Sequence, residues 1–480
     1  MPRLYQPGPS ITFAVLAAAA AAFALMQSLL TPVLPTIRED LGTTTSTVTW
    51  VLTAWLLAAS VATPLMGRVA DLLGKDRTLL VALAAIAVGC LIAALAPNIG
   101  VLIAARVVQG LGAAVFPVSF GIIRDEFPPH RVASAIGTMA AVIATGSGVG
   151  IVLAGPIVGF LDWRWLFWIP MTVVIIVGLL AWRLIPASPV RSPGRINVRS
   201  ALLLAGWLVA LLLPLSMGGT WGWTSGRTLI LFAAAAILFA GWLFAELRAA
   251  EPLIDMRMMR LPAVWTTNLV AMLFGAAMFG VFAFVPQLVQ VPAVSGYGFG
   301  ATVTGAGLLM APMLVAMAVF GSASGPLTRW VSNKAQLLWG SAMGTIACLS
   351  LALLHDQKWT VALAGAIFGI GLGLIYSSMV NLIVQSVPAH QTGAASGMNT
   401  NIRTIGASLG TAVVSAVVAA HTGPSGIPAE TGFTESFLIL ACASAAAFAV
   451  ALLVPSRNPS TDIPEATEPE PLPGLTRVPA

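Results

Sequence analysis

Fourteen times along this 480-residue chain the charged and turn-forming residues give way to an apolar run of membrane-crossing length. The runs are 11–33, 47–66, 78–97, 100–122, 133–159, 164–186, 199–217, 227–247, 263–285, 301–322, 335–354, 359–384, 393–420 and 434–455. About 20 apolar residues cross a bilayer as a helix, because only an intra-segment hydrogen-bond ladder satisfies every backbone group in hydrocarbon. Nothing else constrains the fold as strongly. With 58% hydrophobic and 8% charged residues, the surface is too apolar for a water-soluble domain. The expected fold class is all-α integral membrane. The Ala stretch at 17–22 imitates a signal-peptide exit, but its run continues past it and reads as a first spanning helix.

Placement of Lys and Arg orients these spans. With the N-terminus in the cytoplasm, 17 of the 23 basic residues fall in cytoplasmic segments and four on the other side. The remaining two, Arg106 and Arg403, lie within runs. Both termini are then cytoplasmic, and the net charge of +6 reflects topology, not nucleic acid. Arg outnumbers Lys heavily in an Ala- and Gly-rich chain, which suggests a bacterial source and hence the inner membrane. Cys90, Cys348 and Cys442 all sit inside apolar runs, in no disulfide or metal spacing. No metal or other cofactor is expected. The convergent His, Asp, Glu or Cys that a membrane enzyme requires is missing, so an enzyme is not expected. The Pro- and Glu-rich tail, 456–480, reads as disordered.

One short stretch breaks the pattern. GRVADLLGKDR, residues 67–77, packs Arg68, Asp71, Lys75, Asp76 and Arg77 between two apolar runs, with Gly67 and Gly74 bracketing them. It reads as a tight cytoplasmic turn. Positive-inside anchoring explains the basic residues but neither the acids nor the glycines. The stretch resembles the G-x-L-a-D-r-x-G-r-k signature of the major facilitator superfamily, with Gly67, Asp71, Gly74, Lys75 and Arg77 in the matching places. LIAARVVQGLGAA at 102–114 is similar to that family's fourth-helix motif, and GSGVGIVLAGPIVGFL at 146–161 to the antiporter motif of helix five, with Phe160 where a second glycine is usual. FVPQLVQVPAVSGYGFGATVTGAGLLMAP and GAASGMNTNIRTIGASLGTA resemble second-half segments of the fourteen-span drug–proton antiporters.

The resemblance implies two pseudo-symmetric six-helix bundles, 1–190 and 261–455, with two extra linking helices in 191–260. A weaker echo of the charged stretch, GSASGPLTRWVSNK at 321–334, lacks the acid. The implied function is a secondary transporter, expected as a monomer, exporting small amphipathic drugs or natural products by alternating access on the proton gradient. Its partners would be the small-molecule substrate, the lipid bilayer and protons. Gly67, Asp71, Gly74, Lys75 and Arg77 would latch the cytoplasmic side. Gly155, Pro156 and Gly159 would form a close-packed, bendable seam between bundles.

Within the spans, a buried charge costs roughly 2.5–3.5 kcal/mol and must find a partner or water. Arg106 and Gln109, three apart, share an inward face, as do Asn399 and Arg403, four apart. Gln27, Asn268, Tyr376 and Asn381 are further inward polar candidates. The related antiporters carry an Asp in the first helix, but LMQSLLTPVLP from Leu25 to Pro35 puts Met26 there. That substitution removes the usual titrating group and predicts a cavity with positive but no deep negative charge, favouring neutral or acidic cargo with Arg106 as the anion's partner. An exporter or permease for neutral or anionic substrates without first-helix proton coupling, and a sensor that binds without translocating, remain open alternatives.

Overall fold

The computed structural model describes residues 8–188, 197–249, 252–423 and 427–455. The tail 456–480 and the segment 189–196, including the proposed domain edge at 190–191, lie outside them. Fourteen helices are long and apolar enough to span a bilayer: α1 Pro9–Leu29, α2 Thr47–Leu73, α3 Lys75–Ala94, α4 Ile99–Glu126, α5 Arg131–Phe160, α6 Trp165–Leu184, α7 Val198–Trp221, α8 Gly226–Arg248, α9 Pro262–Gln290, α10 Thr304–Leu327, α11 Asn333–Leu353, α12 Lys358–Ser386, α13 Ala389–Ala420 and α14 Glu430–Leu452. Helices α1–α6 and α9–α14 form the two six-helix bundles, and α7 and α8 pack on each other as the intervening pair.

Boundaries follow local chemistry. The break between α3 and α4 is set by Asn98, whose side-chain oxygen accepts from the Val101 amide at 3.1 Å and so satisfies an orphan donor of the first turn. Ser225 and Thr302 cap α8 and α10 in the same way. The tight turn expected of the charged stretch is a single residue. Residues 67–73 continue α2, Lys75 opens α3, and Gly74 alone separates them. Its φ of 110° is open to glycine and strained for other residues, which is why a 180° reversal fits in one position.

The extra pair is not peripheral decoration. Leu204, Trp207, Leu208 and Leu212 of α7 share an apolar core with Ile383 and Val387 at the end of α12 and with Ala395, Met398 and Ile405 of α13. The Thr53 and Ser216 hydroxyls, 3.0 Å apart, tie α2 to α7. At the end opposite Gly74, the Trp163 indole N–H donates to Asp40 at 2.8 Å, and Arg164 bridges Asp40 and Asp162. The Trp163 hydrogen bond holds the Asp40 carboxyl below the usual carboxylate range.

Candidate functional site

The two bundles are clamped at the Gly74 end. Gly67 of α2 faces Gly393 of α13 so closely that a Cβ on Gly393 would lie 2.5 Å from the Gly67 carbonyl oxygen. One turn along, Gly397 meets the Thr63 carbonyl oxygen with a hypothetical Cβ at 2.8 Å. This approach brings the fully buried Asp71 carboxylate onto the first amides of the 392–420 helix. Oδ1 accepts from Gly393 at 3.1 Å and Oδ2 from Ala394 at 2.9 Å. A helix N-terminus carries unpaired N–H groups and partial positive charge, so an anion is its natural stopper. Beside it, Arg124 of α4 donates to the Thr392 hydroxyl at 2.6 Å.

Other members of the stretch do different work. Lys75 turns back into its own bundle, where its ammonium meets Asp125 at 2.6 Å with both side chains buried. Its stem lies against Gly121, where a Cβ would sit 2.9 Å from the Lys75 chain. The Asp76 carboxylate accepts from the Ser188 amide, and the Ser188 hydroxyl accepts from the Lys75 amide, which anchors the chain leaving α6. Arg77 is exposed.

A second contact mirrors the first. Gly325, in the acid-less echo, faces Ser134 of α5, where a Cβ would be 2.6 Å from the Ser134 amide nitrogen. Gly137 packs against Gly321 and Ser377, and the Asn381 amide donates to the Ala133 carbonyl at 3.3 Å. Arg329, four residues after Gly325 as Asp71 is four after Gly67, is exposed. One contact therefore carries an ionic stopper, and its counterpart closes by backbone proximity.

The seam expected at Gly155 and Gly159 is corrected by this geometry. A Cβ at either would meet nothing within 4 Å, and both face outward from a helix that runs unbroken through Pro156. The packed glycines of α5 lie earlier. Gly146 and Gly150 seat on Ala21, Leu25 and Ser28 of α1, and Gly148 on Leu314 of α10. The α5–α10 contact thus extends from the Gly74 end to Gly148, and Gly155 and Gly159 beyond it face open space. Over this stretch a cavity of about 570 Å³ lies among Ala18, Ala22 and Leu25 of α1, Thr145 and Val149 of α5, and Ala318 of α10. Val173, on the exposed side of α6, forms part of its wall.

Arg106, expected as the anion's partner, does not line this cavity. It is fully buried inside the first bundle. Its Nε donates to the Val51 carbonyl at 3.2 Å, Nη1 to Gln109 Oε1 at 2.6 Å, and its guanidinium lies 5.3 Å from the Trp55 ring centre. The Gln109 amide donates in turn to Cys90 Sγ at 3.3 Å, and the Cys90 thiol to Met26 Sδ at 3.5 Å. Met26 is therefore the buried terminus of a polar relay, and Gln27 beside it is half-buried.

In the second bundle, Asn399 Nδ2 donates to Asn268 Oδ1 at 2.8 Å, joining α13 to α9. One turn on, Arg403 Nη2 donates to the Tyr376 hydroxyl at 3.1 Å, with the guanidinium carbon 4.4 Å from the ring centre. The two faces anticipated from three- and four-residue spacing are thus real faces, but they serve separate bundles.

Residues 16–411 match the family model described as Major Facilitator Superfamily. The chain belongs to this superfamily. Superfamily relatives include the tetracenomycin C resistance and export protein of Streptomyces glaucescens, 31% identical over 81% of this chain and 72% of that one. The cephamycin export protein of Amycolatopsis lactamdurans is 31% identical over 84% of this chain and 83% of its own. Among solved superfamily structures, the human organic anion transporter MFSD10 superposes with a TM-score of 0.66 at 14% identity, covering 93% of this chain and all of that one. These relatives are drug and antibiotic export transporters, and the fold and family are those of multi-pass membrane transporters, not of enzymes.

Within the superfamily fold, the residues that sequence reading overlooked are Arg124, Asp125, Thr392 and Gly393. A signal existed for two of them: Arg124, Asp125 and Glu126 are three consecutive charges in a chain that is 8% charged. None existed for Thr392 or Gly393, whose partners, Arg124 and Asp71, lie 268 and 322 residues away in sequence.

Proposed function

We propose that this protein exports small amphipathic compounds, drugs or natural products, across a bacterial inner membrane by alternating access. The observation that carries this reading is the one-ended closure. The Asp71 stopper and the paired glycine contacts join the bundles at the Gly74 end, while Gly155 and Gly159 of α5 face open space. The excess of Lys and Arg at the Gly74 end supports placing it, with both termini, in the cytoplasm. The closed conformation is then the outward-facing one, and release of the stopper admits cargo from inside. The largely apolar walls of the 570 Å³ cavity suit the lipophilic part of such a cargo.

Coupling has two readings, and Met26 separates them. A proton drive through a first-helix acid is the family-like reading. Met26 against Cys90 Sγ favours export without that group, because neither side chain carries a carboxylate. The test is flux in proteoliposomes with and without an imposed pH gradient, starting with tetracenomycin C and a cephamycin because two relatives export them. Gradient-dependent flux supports proton drive, and gradient-independent flux supports the second reading. No flux of these or of a broader aromatic library under either condition would remove the transport reading itself.

A further inference from the structure

Buried polar atoms in a bilayer protein almost always have partners, because an unpaired group costs about 1–3 kcal/mol. Exceptions occur in both bundles, Arg106 Nη2 in the first among them, and six of the atoms lie on α12 and α13. Ser377 Oγ, Asn381 Oδ1, Ser396 Oγ, both side-chain polar atoms of Asn401 and Nη1 of Arg403 are buried without a hydrogen-bond partner. Two of these residues touch the first bundle: Gly137 packs on Ser377, and Asn381 bonds the Ala133 carbonyl. Polar atoms left unsatisfied where the bundles close, as on Ser377 and Asn381, are ones that water or cargo covers when they part. The one charged residue among the six atoms on these two helices is Arg403, with a relative exposure of 7%.

Arg403 is also pre-set for recognition. Its stem lies on Gly275 of α9, where a Cβ would come within 3.0 Å of Arg403 Cγ, so the side chain has a fixed exit direction. Tyr376 holds Nη2 and lies against the guanidinium, leaving Nη1 free. No carboxylate balances it. Among the described residues, the acids within spanning helices are Asp71, Asp76, Asp125, Glu126, Glu246, Glu430 and Glu435, each within six residues of a helix end. Arg106 also leaves Nη2 unpartnered, but its Nε and Nη1 are taken by Val51 and Gln109, Trp55 lies beside it, and it is fully buried.

We infer that Arg403 reads the charge of the cargo, and that the cargo carries a carboxylate or phenolate that pairs with its free Nη1 when the Gly74 end opens. This rests on the transport reading above. A guanidinium fork matches a carboxylate in two parallel hydrogen bonds, and removal from bulk water strengthens them. A quaternary ammonium group would instead meet an unbalanced like charge.

Three probes of one shape test it: 1-naphthoate, 1-naphthol and trimethyl-1-naphthylammonium, against the full-length protein and the Arg403→Gln and Arg403→Lys variants. Equilibrium dialysis of purified protein should give naphthoate at least tenfold tighter binding than the ammonium compound. Arg403→Gln should weaken naphthoate at least tenfold with naphthol within twofold, and Arg403→Lys should recover part of the difference. Failure of naphthoate to bind, equal binding of anion and cation, or equal weakening of all three probes in Arg403→Gln would overturn the assignment. Flux of the same probes in proteoliposomes separates the two readings. Movement of naphthol without anion preference leaves transport standing and removes Arg403. Anion-selective binding with no movement of any probe leaves Arg403 standing and removes transport.

Discussion

Replacing Asp71 with Asn isolates the stopper. The wild-type carboxylate accepts two backbone N–H groups at 3.1 and 2.9 Å from the start of the 392–420 helix. Hydrogen bonds to a charged group contribute about 1.5–3 kcal/mol each. Asn keeps one acceptor oxygen, so one bond survives in neutral form at about 1 kcal/mol, while its NH2 confronts the second amide donor-to-donor. The net loss is about 2–5 kcal/mol, or roughly a 30- to 4000-fold shift away from the closed Gly74 end. Only the closed state contains this contact, so the loss appears in the conformational equilibrium and not in folding. Spin labels at Arg77→Cys and Trp330→Cys, both exposed and on opposite bundles at this end, read the shift by pulsed EPR. Cys442→Ser removes the exposed native thiol, and Cys90 and Cys348 are buried. Asp71→Asn should add a longer-distance population and slow export strongly, with insertion and yield unchanged. Identical distance distributions in wild type and variant, together with normal flux, would refute the reasoning.

Gly137→Ala should hold the bundles apart, since its Cβ would lie 2.6 Å from the Gly321 carbonyl oxygen, whereas Gly155→Ala should leave turnover within about twofold because nothing lies within 4 Å; the two flux rates decide. Lys75→Met should cut the folded fraction on size-exclusion chromatography, because breaking a buried pair costs about 3–5 kcal/mol, and adding Asp125→Leu should restore much of it. The Asp40 carboxyl is held low by Trp163, so its stabilisation is present above the unfolded carboxylate range near 3.9 and fades as pH falls through the lower folded value. The difference in melting temperature between wild type and Asp40→Asn should therefore be visible at pH 7 and shrink as pH approaches about 3.

The fourteen spans were legible because membrane length and apolarity are properties of a segment alone. Their ends were not, and residues 67–73 show why. A helix need not stop where hydrophobicity stops, since charged side chains at its end reach the interface while the ladder continues, so the apparent loop is two helices and Gly74. Arg106 with Gln109, and Asn399 with Arg403, were legible as shared faces from helical spacing. Which bundle, cavity or neighbour each face meets was not, because that depends on packing. Gly146/Gly150 and Gly155/Gly159 have the same four-residue spacing, yet the first pair grips α1 and the second touches nothing. Asp71 was legible from its charged motif as a group that meets cations or a neighbouring helix N-terminus; which helix supplies the two amides was not, because they lie more than 300 residues away.

The seating of α7 and α8 gives the molecule a front and a back in the plane of the bilayer. On one flank, α7 lies over the line where α2 meets α13, with its leucines and Trp207 built into that joint. On the opposite flank, the line where α5 meets α10 has no such cover, and the cavity there includes Val173 on the outward side of α6. Lipid tails therefore meet a palisade on one side and a doorway on the other. With the apolar hollow among α1, α5 and α10 on the uncovered flank, the two additional helices make the twelve-helix core asymmetric toward its own solvent.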